Sequence, residues 1–312
     1  MQAMVAAVAD LSSLAYAAFE ATGFATMVRR SRASGLVLCY HNVVACESDA
    51  ADGDTSLHMD VERFRRQMDW LVRHYDVVPL REVARRLEHR RSLRGMAAVT
   101  FDDGYAAMCE NASPVLRELG IPATVFVVAG APGRADGFWW DQAAVRAAGG
   151  KAQQREYWLR SLRGDGDAIL RDLRAAGPKD VPAQCRPADW DTLRRLNASG
   201  CELGVHSATH RALPHVDPSE WTREIEASRE VIAAETGVTP ELFSYPYGLW
   251  TEPLRRRVER AGYAAAVGLG QRLVGPDADR WALPRVNIPA GIPEPAFRAW
   301  TAGLAWRRGA LS

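Results

Sequence analysis

Two adjacent carboxylates follow an apolar run in the segment AAVTFDDGY, where Asp102 and Asp103 precede Gly104. Neighbouring side chains on an extended chain point to opposite sides, so one carboxylate can bind a metal ion while the other acts as a base. Asp-Gly is also a common turn dipeptide, and an ordinary turn is the alternative interpretation of this pair in isolation. The pair becomes informative only when other reactive groups lie beside it.

Two histidines provide such groups in the segment ELGVHSATHRAL. An apolar run ends at His206, and His210 follows in a small polar loop. Imidazole and carboxylate side chains together suit zinc and other borderline divalent ions. Two histidines at this spacing are more often ordinary surface residues. Together with one carboxylate of the aspartate pair, however, they predict a two-histidine, one-carboxylate metal site with open coordination positions.

Two further segments place candidate groups after apolar runs. FSYPYGLW holds Tyr247 in a Pro-Tyr-Gly turn that leaves its backbone N–H exposed, and VLCYHNV ends a predicted strand at Tyr40 and His41. Each has an ordinary structural alternative, namely a rigid turn capped by aromatic rings and a histidine that merely ends a strand. Both segments matter only if the strands before them end at the same rim of the fold.

Short apolar runs alternate with amphipathic helical stretches from residue 35 onward. The predicted strands are 35–40, 97–101, 123–129, 201–206, 241–245 and 263–268, and the predicted helices are 61–75, 80–90, 189–197 and 218–237. This alternation predicts an α/β fold with a mainly parallel sheet, as a barrel or a doubly wound sheet. Such folds place active sites at the carboxyl ends of their strands, so we expect the candidate groups to converge. The irregular stretch at 131–187 predicts a helical insertion over one end of the barrel.

The composition excludes several classes of protein. The chain has 312 residues, of which 47% are hydrophobic and 25% charged, and these values exclude a disordered or fibrous protein. Its 39 basic and 38 acidic residues leave no basic excess, so we expect no nucleic-acid partner. Five cysteines without CxxC spacing argue against a disulfide framework and against a thiolate zinc site.

The N-terminal segment predicts an amphipathic helix rather than a targeting signal. Residues 1–28 contain no Lys or Arg, and Asp10 and Glu20 interrupt the apolar run, which argues against a secretory signal and a membrane-spanning helix. We expect a cytoplasmic protein, with peripheral contact of this helix to the inner membrane surface left open. The predicted units are an N-terminal helical extension at 1–34, one catalytic domain at 35–295 and a C-terminal tail at 296–312.

The motifs TFDDGY, HSATH and YPYG, in that order, resemble the polysaccharide deacetylase family, the NodB-like enzymes of carbohydrate esterase family 4. The opening YHNV, a Tyr-His-x-Val motif, and the late LPRVNIP are similar to a bacterial branch that acts on exopolysaccharides and cell-surface glycans. The resemblance covers about residues 35–290. It implies a distorted (β/α) barrel of about seven strands that hydrolyses N-acetyl groups from hexosamine units with one divalent metal ion, zinc or else cobalt or nickel.

The resemblance also implies roles, position by position. Asp102 matches the catalytic base, and Tyr247 matches the residue whose backbone N–H stabilises the oxyanion. Asp103, His206 and His210 match the three metal ligands. A metal ion in such a site polarises the acetyl carbonyl and lowers the pKa of its bound water, and an acid must then protonate the departing amine.

Two departures from the general family pattern concern the residues around the base. Many members carry an arginine where this chain has Ser244, and a late histidine as the general acid, whereas no histidine follows His215 here. In the branch that the chain resembles, an early histidine matches a substitute acid, which implies His41. Arg285 in LPRVN is the corresponding replacement for the arginine that orients Asp102.

Several functions stay open on the sequence alone. The main hypothesis is a metal-dependent amino-sugar deacetylase with a carbohydrate partner that carries N-acetylhexosamine. The same chemistry can act on a formyl group or an O-acetyl ester. A catalytically degenerate glycan-binding protein is favoured by the two departures and opposed by the complete set of aspartates and histidines. A non-haem iron oxygenase uses similar ligands but leaves the second aspartate without a role. The sequence leaves the oligomeric state open.

Overall fold

The computed structural model describes residues 27–28, 31–51, 53–149 and 152–304. Most of the predicted N-terminal extension at 1–34, with its contact to a membrane, lies outside these residues, and so does the end of the predicted tail from residue 305. Within the described ranges, no helix is both long enough and apolar enough to cross a bilayer.

Parallel strands form the centre of the molecule. The strands are β1 (Leu36–Tyr40), β2 (Asn42–Val44), β3 (His58–Asp60), β4 (Asp76–Val77), β5 (Met96–Phe101), β6 (Ala123–Val127), β7 (Glu202–Val205), β8 (Leu242–Ser244), β9 (Ala265–Val267) and β10 (Val286–Asn287). Seven of these described strands pair in the order β10-β1-β5-β6-β7-β8-β9, β4 adds to β5, and β2 pairs separately with β3. A bridge from Val267 to Leu283 links β9 to the chain that enters β10. The sheet therefore curls into a half-barrel, which confirms the predicted distorted (β/α) barrel.

Helices surround this half-barrel. They are α1 (Glu47–Ala50), α2 (Val61–His74), α3 (Leu80–Glu88), α4 (Ala106–Glu118), α5 (Ala143–Ala148), α6 (Ala152–Arg160), α7 (Gly166–Asp172), α8 (Trp190–Ala198), α9 (Ser228–Thr236), α10 (Glu252–Arg260) and α11 (Glu294–Thr301). The predicted helix at 218–237 is divided into a 3-10 turn, Pro218–Glu220, a π-helical turn, Thr222–Ala227, and α9.

The apolar spacing of α2 explains why it packs on the sheet. The Asp60 carboxylate accepts a backbone N–H of the first turn and caps the helix. Phe64, Met68 and Leu71 recur at helical spacing and are fully buried. Val72 is 38% exposed, because a side chain one residue beyond Leu71 is turned about 100° further round the helix.

Side chains of the strands alternate between the inside of the half-barrel and the helices outside it. From β1, Val37 packs inside with Ala98 and Phe126, whereas Leu36 and Leu38 pack outside against the helices. All five are buried. Burial on both faces is expected of a parallel sheet covered by helices. The alternation also carries the polar side chains at the strand ends into the mouth of the barrel.

The predicted insertion at 131–187 is helical, as expected. It follows β6 and contains α5, α6 and α7 before the chain returns through α8 to β7. The Gln142 amide fastens its ends together by donating to the carbonyls of Asp136 and Lys179. The insertion has a small apolar cluster of its own, formed by Val145, Trp158, Ile169 and Leu170.

The C-terminal helix α11 belongs to the domain core. Phe297 and Ala299 are fully buried in the main apolar cluster, and the Phe297 ring meets Trp70 edge-on at 5.5 Å between ring centroids. The predicted boundary between domain and tail, at 295/296, therefore falls inside a packed helix. A single eight-residue helix that begins directly after the loop proline Pro293 gives too short a pattern to be separated from a tail by periodicity.

Candidate active site

The aspartate pair is both a turn and part of the site. Asp102 extends β5, since its backbone N–H donates to the carbonyl of Tyr40 on β1 at 2.9 Å. The backbone then turns left-handed at Asp103 and Gly104, with φ of 74° and 77°, and the Gly104 N–H donates back to the Asp102 carbonyl. This turn places both carboxylates at the mouth of the barrel, where simple strand alternation would separate them.

Three ligand atoms of different strand ends converge at this mouth. His206 Nε2 lies 3.1 Å from His210 Nε2, and Asp103 Oδ1 lies 3.2 Å from His210 Nε2 and 3.6 Å from His206 Nε2. A tetrahedral ion with bonds of about 2 Å sets its ligand atoms about 3.3 Å apart. The three side chains, all buried, therefore form a group able to hold one divalent ion.

Hydrogen bonds and burial prepare these atoms as ligands. His206 Nδ1 donates to the Ser244 carbonyl at 2.8 Å, which leaves Nε2 with a free lone pair. Burial lowers the pKa of His206 to about 4, against the opposite effect of the two carboxylates, so the imidazole is neutral at neutral pH. Asp103 Oδ1 is buried and accepts no hydrogen bond within the described part of the chain. An orphaned oxygen and a neutral imidazole fit a metal ion of the zinc type.

Arg285 binds the Asp102 carboxylate at two points. Its Nη1 donates to Oδ1 at 2.8 Å and its Nη2 donates to Oδ2 at 2.6 Å. The same guanidinium also donates to the Thr100 hydroxyl and the Gly268 carbonyl. Burial alone raises the pKa of Asp102, but the charge of Arg285 outweighs it and holds the pKa well below the usual range. Asp102 is therefore ionised and fixed in orientation.

Ser244 makes room for this arginine. Its hydroxyl lies 3.3 Å from Asp102 Oδ1 and accepts a hydrogen bond from Arg285 Nη2 at 2.9 Å. Where the resemblance implies an arginine in many family members, this chain thus has a small side chain on β8. The guanidinium instead enters from the start of β10 and is fully buried. The structure brings Arg285 to the location expected from the sequence.

His41 and Cys39 lie beside the same carboxylate. A ring nitrogen of His41, the Cys39 sulfur and a carboxylate oxygen of Asp102 all lie within 4.8 Å of one another. Burial lowers the pKa of His41, although Asp102 and Asp103 act in the opposite direction. Cys39 is buried, and its thiol contacts Asp102 Oδ2 at 3.5 Å.

Tyr247 lies on the opposite side of the ligand group. Its backbone is left-handed, with φ of 59°, between Pro246 and Gly248. The turn is closed by hydrogen bonds from the Gly248 and Leu249 N–H groups to the carbonyls of Tyr245 and Pro246, and these fix the orientation of the Tyr247 peptide. The ring meets His210 edge-on at 4.6 Å, and the hydroxyl accepts from Trp139 Nε1 at 3.0 Å.

Aromatic residues of the insertion pack beside the candidate ligand His210 rather than on an open surface. Phe138 and Trp140 are stacked at 4.8 Å between ring centroids and are almost fully buried. The Trp140 ring lies 4.7 Å from that of His210. Trp250, at 39% exposure, has a more open face, of the kind that stacks on sugar rings.

A buried network that the sequence did not reveal ties the insertion to the barrel. His58 Nε2 lies 2.8 Å from Asp141 Oδ1, and the Tyr105 hydroxyl donates to Asp141 Oδ2 at 2.7 Å. Trp140 Nε1 donates to the Tyr105 hydroxyl, which connects the network to the aromatic wall around His210. An isolated histidine before a helix carries no local signal of a partner 83 residues away, so the sequence alone does not connect His58 with Asp141.

Comparison with known proteins agrees with this architecture. The polysaccharide deacetylase family model matches residues 89–266, more than half of the chain. The poly-β-1,6-N-acetyl-D-glucosamine N-deacetylase of Staphylococcus epidermidis is 21% identical over 248 residues, which cover 77% of this chain and 71% of that protein.

Two solved structures show the same fold at low identity. IcaB from Ammonifex degensii is 20% identical with a TM-score of 0.59, over 86% of this chain and 97% of that chain. The Streptococcus pyogenes deacetylase PplD, in complex with acetate, is 16% identical with a TM-score of 0.58, over 83% and 93%. With the family model, these likenesses establish that the chain belongs to the polysaccharide deacetylase family.

Proposed function

We propose that this protein removes the N-acetyl group from an amino sugar of a glycan or glycan precursor, with the help of one divalent metal ion. The convergence of Asp103, His206 and His210 beside an arginine-bound Asp102 carries the proposal. Family membership and a relative named for N-acetylglucosamine support an N-acetylhexosamine substrate. The donor set favours zinc, with cobalt or nickel as alternatives.

In this proposal the metal ion supplies Lewis-acid polarisation of the acetyl carbonyl and makes water more acidic. Asp102 accepts the proton of the attacking water. Its two-point contact with Arg285 keeps the carboxylate ionised and prevents it from rotating into the ligand group. A carboxylate of lowered pKa is a weak base, so the role depends on water that is already acidified.

The other two groups act on the oxyanion and on the leaving amine. The backbone N–H of Tyr247 is held by a rigid turn, and a fixed donor stabilises developing charge without reorganisation. His41 protonates the amine as its bond to the acetyl carbon breaks. Because burial lowers the pKa of His41, its protonated form is a minor species at neutral pH but a strong acid.

The metal site predicts a simple stoichiometry. We expect about one divalent ion per chain, as a single site of this type requires. Asp103→Ala and His206→Ala proteins lose the ion, as measured by elemental analysis after dialysis. His215→Ala is the matched control, since that histidine is exposed and lies outside the ligand group. Wild-type metal content in either ligand variant contradicts the site.

The base predicts the outcome of an acetate-release assay. We expect release from N-acetylglucosamine oligomers or lipid-linked amino sugars, and a fall of about 10²- to 10⁴-fold in Asp102→Asn because general base catalysis is lost. Asp191→Asn, on the exposed side of α8, is the control. Acetate release at the wild-type rate by Asp102→Asn contradicts the assignment of Asp102 as the base. Formate release from N-formyl substrates changes the acyl group, acetate release only from O-acetyl esters changes the linkage, and no release from any substrate favours a glycan-binding protein.

If His41 is the general acid, its removal lowers turnover without changing the metal content. His41→Ala keeps its metal content and loses turnover by about 10²-fold or more, since the amine then departs unprotonated. Turnover is measured by acetate release at saturating substrate, with the exposed His89→Ala as the control. Unchanged turnover excludes His41 as the acid.

The arginine predicts a shift in pH dependence. Arg285 lowers the pKa of Asp102, so Arg285→Met raises that pKa and protonates the base at higher pH. We expect the acid limb of the kcat/KM profile to move upward by about one unit or more. Arg280→Met, which removes an arginine outside the site, leaves the limb in place. An unmoved acid limb in folded, metal-containing Arg285→Met contradicts the assignment.

A further inference from the structure

The loop that joins the two histidine ligands rests on one buried carboxylate. Glu224 is 0% exposed and lies on the π-helical turn Thr222–Ala227. π-helical turns are rare in proteins, and those that occur are often found at functional sites. The chemistry proposed above gives this carboxylate no role, because it contacts none of the candidate ligands or catalytic groups.

The described hydrogen bonds of the Glu224 carboxylate all go to the segment from Ala208 to Arg211, which contains the second candidate ligand, His210. Oε2 accepts the backbone N–H groups of Ala208 and Thr209, both at 3.1 Å. Oε1 accepts the Thr209 hydroxyl at 2.8 Å and Nη2 of Arg211 at 3.1 Å. One carboxylate therefore uses both oxygens to fix the segment from residue 208 to residue 211.

The opposite side of the loop is fixed by the chain after β6. Ala129 and Gly130 donate their N–H groups to the carbonyls of Ser207 and Ala208 at 3.0 and 2.9 Å. This approach requires glycine, since a Cβ at position 130 would lie 2.8 Å from the Ala208 oxygen. Ser207 and His210 have left-handed backbones, with φ of 62° and 58°. Such backbones cost free energy and persist only where surrounding contacts hold them.

The charge of Glu224 is balanced where it lies. A buried carboxylate is destabilising unless it is paired. Arg211, whose side chain is 12% exposed, provides the pair and also binds the more exposed Glu220 at 2.5 Å. The Ser228 hydroxyl donates to the Glu224 carbonyl and fixes the backbone below the carboxylate.

We propose that Glu224 is a positioning residue that holds the His206–His210 loop in its metal-binding shape. The inference rests on the proposed metal site. Two N–H groups and one hydroxyl of the loop bind a charged acceptor that cannot rotate away, so His210 stays opposite Asp103 before any ion arrives. Loss of that acceptor releases the left-handed backbone at both ends of the loop.

The test measures metal affinity without substrate. Metal-free wild type, Glu224→Gln and Glu220→Gln are titrated with zinc in competition with a chromophoric chelator, and each protein is checked by circular dichroism and thermal unfolding. Glu224→Gln loses the charge that spans the loop and Arg211, and we expect its zinc affinity to fall by about 10- to 100-fold, the usual effect of removing a group that orients a ligand. Glu220→Gln keeps the loop contacts and stays within about twofold of wild type.

A purely structural ion pair gives a different result. Folded Glu224→Gln with a lower Tm but wild-type zinc affinity overturns the proposal. A wild-type protein that binds no zinc, cobalt or nickel overturns the metal site itself, so the two failures are distinguishable.

A second pair of variants decides the matter if Glu224→Gln does not fold. Thr209→Val removes the hydroxyl contact and leaves the Glu224–Arg211 pair intact, whereas Thr209→Ser keeps the hydroxyl. We expect at least about threefold weaker zinc binding in Thr209→Val, since a hydrogen bond to a charged group is lost, and wild-type affinity in Thr209→Ser. Equal affinity in the two variants contradicts the positioning role.

Discussion

The mouth of the barrel depends on the two-point contact between Arg285 and Asp102. Both side chains are buried, so bulk water stabilises neither charge, and loss of one partner leaves the other at a cost of about 3–5 kcal/mol. Through Thr100 and the Gly268 carbonyl, the same guanidinium also ties the start of β10 to β5 and to the end of β9. The ion pair holds the Asp102 carboxylate against Arg285, while the Asp103 carboxylate lies beside His206 and His210.

Backbone conformation separates these neighbouring groups. Asp103, Ser207, His210 and Tyr247 all have left-handed backbones, although none is glycine, and each such residue costs about 1–3 kcal/mol. The other described non-glycine residues with left-handed backbones lie outside the site and are exposed or half-buried. They are Arg90, Arg163, Arg174 and Gln271. Packing of the parallel sheet and its helices offsets this cost. The candidate ligand atoms of Asp103, His206 and His210 are consequently held 3.1–3.6 Å apart.

The sequence predicted much of this arrangement, and the failures have physical causes. Apolar runs of four or more residues located β1, β5, β6 and β7, and the motifs at their ends identified Asp102, Asp103, His206 and His210. The two-residue strands β4 and β10 are too short for a periodic signal. The contacts of Glu224 and Asp141 were not predicted, because their partners lie in other elements and local spacing does not encode contacts made by folding. Arg285 was found only through resemblance, for the same reason.

The placement of Arg285 at the last strand has a consequence for biosynthesis. Asp102 and Arg285 are 183 residues apart, so a ribosome that adds about 5–20 residues per second exposes the counterion roughly 10–40 s after the acid. Until Arg285 has been synthesised, burial of the Asp102 carboxylate would leave an unpaired charge inside the protein. The carboxylate therefore has a lower free energy when it stays hydrated. The barrel mouth therefore closes late, and a chain that stops before β10 never assembles the buried pair.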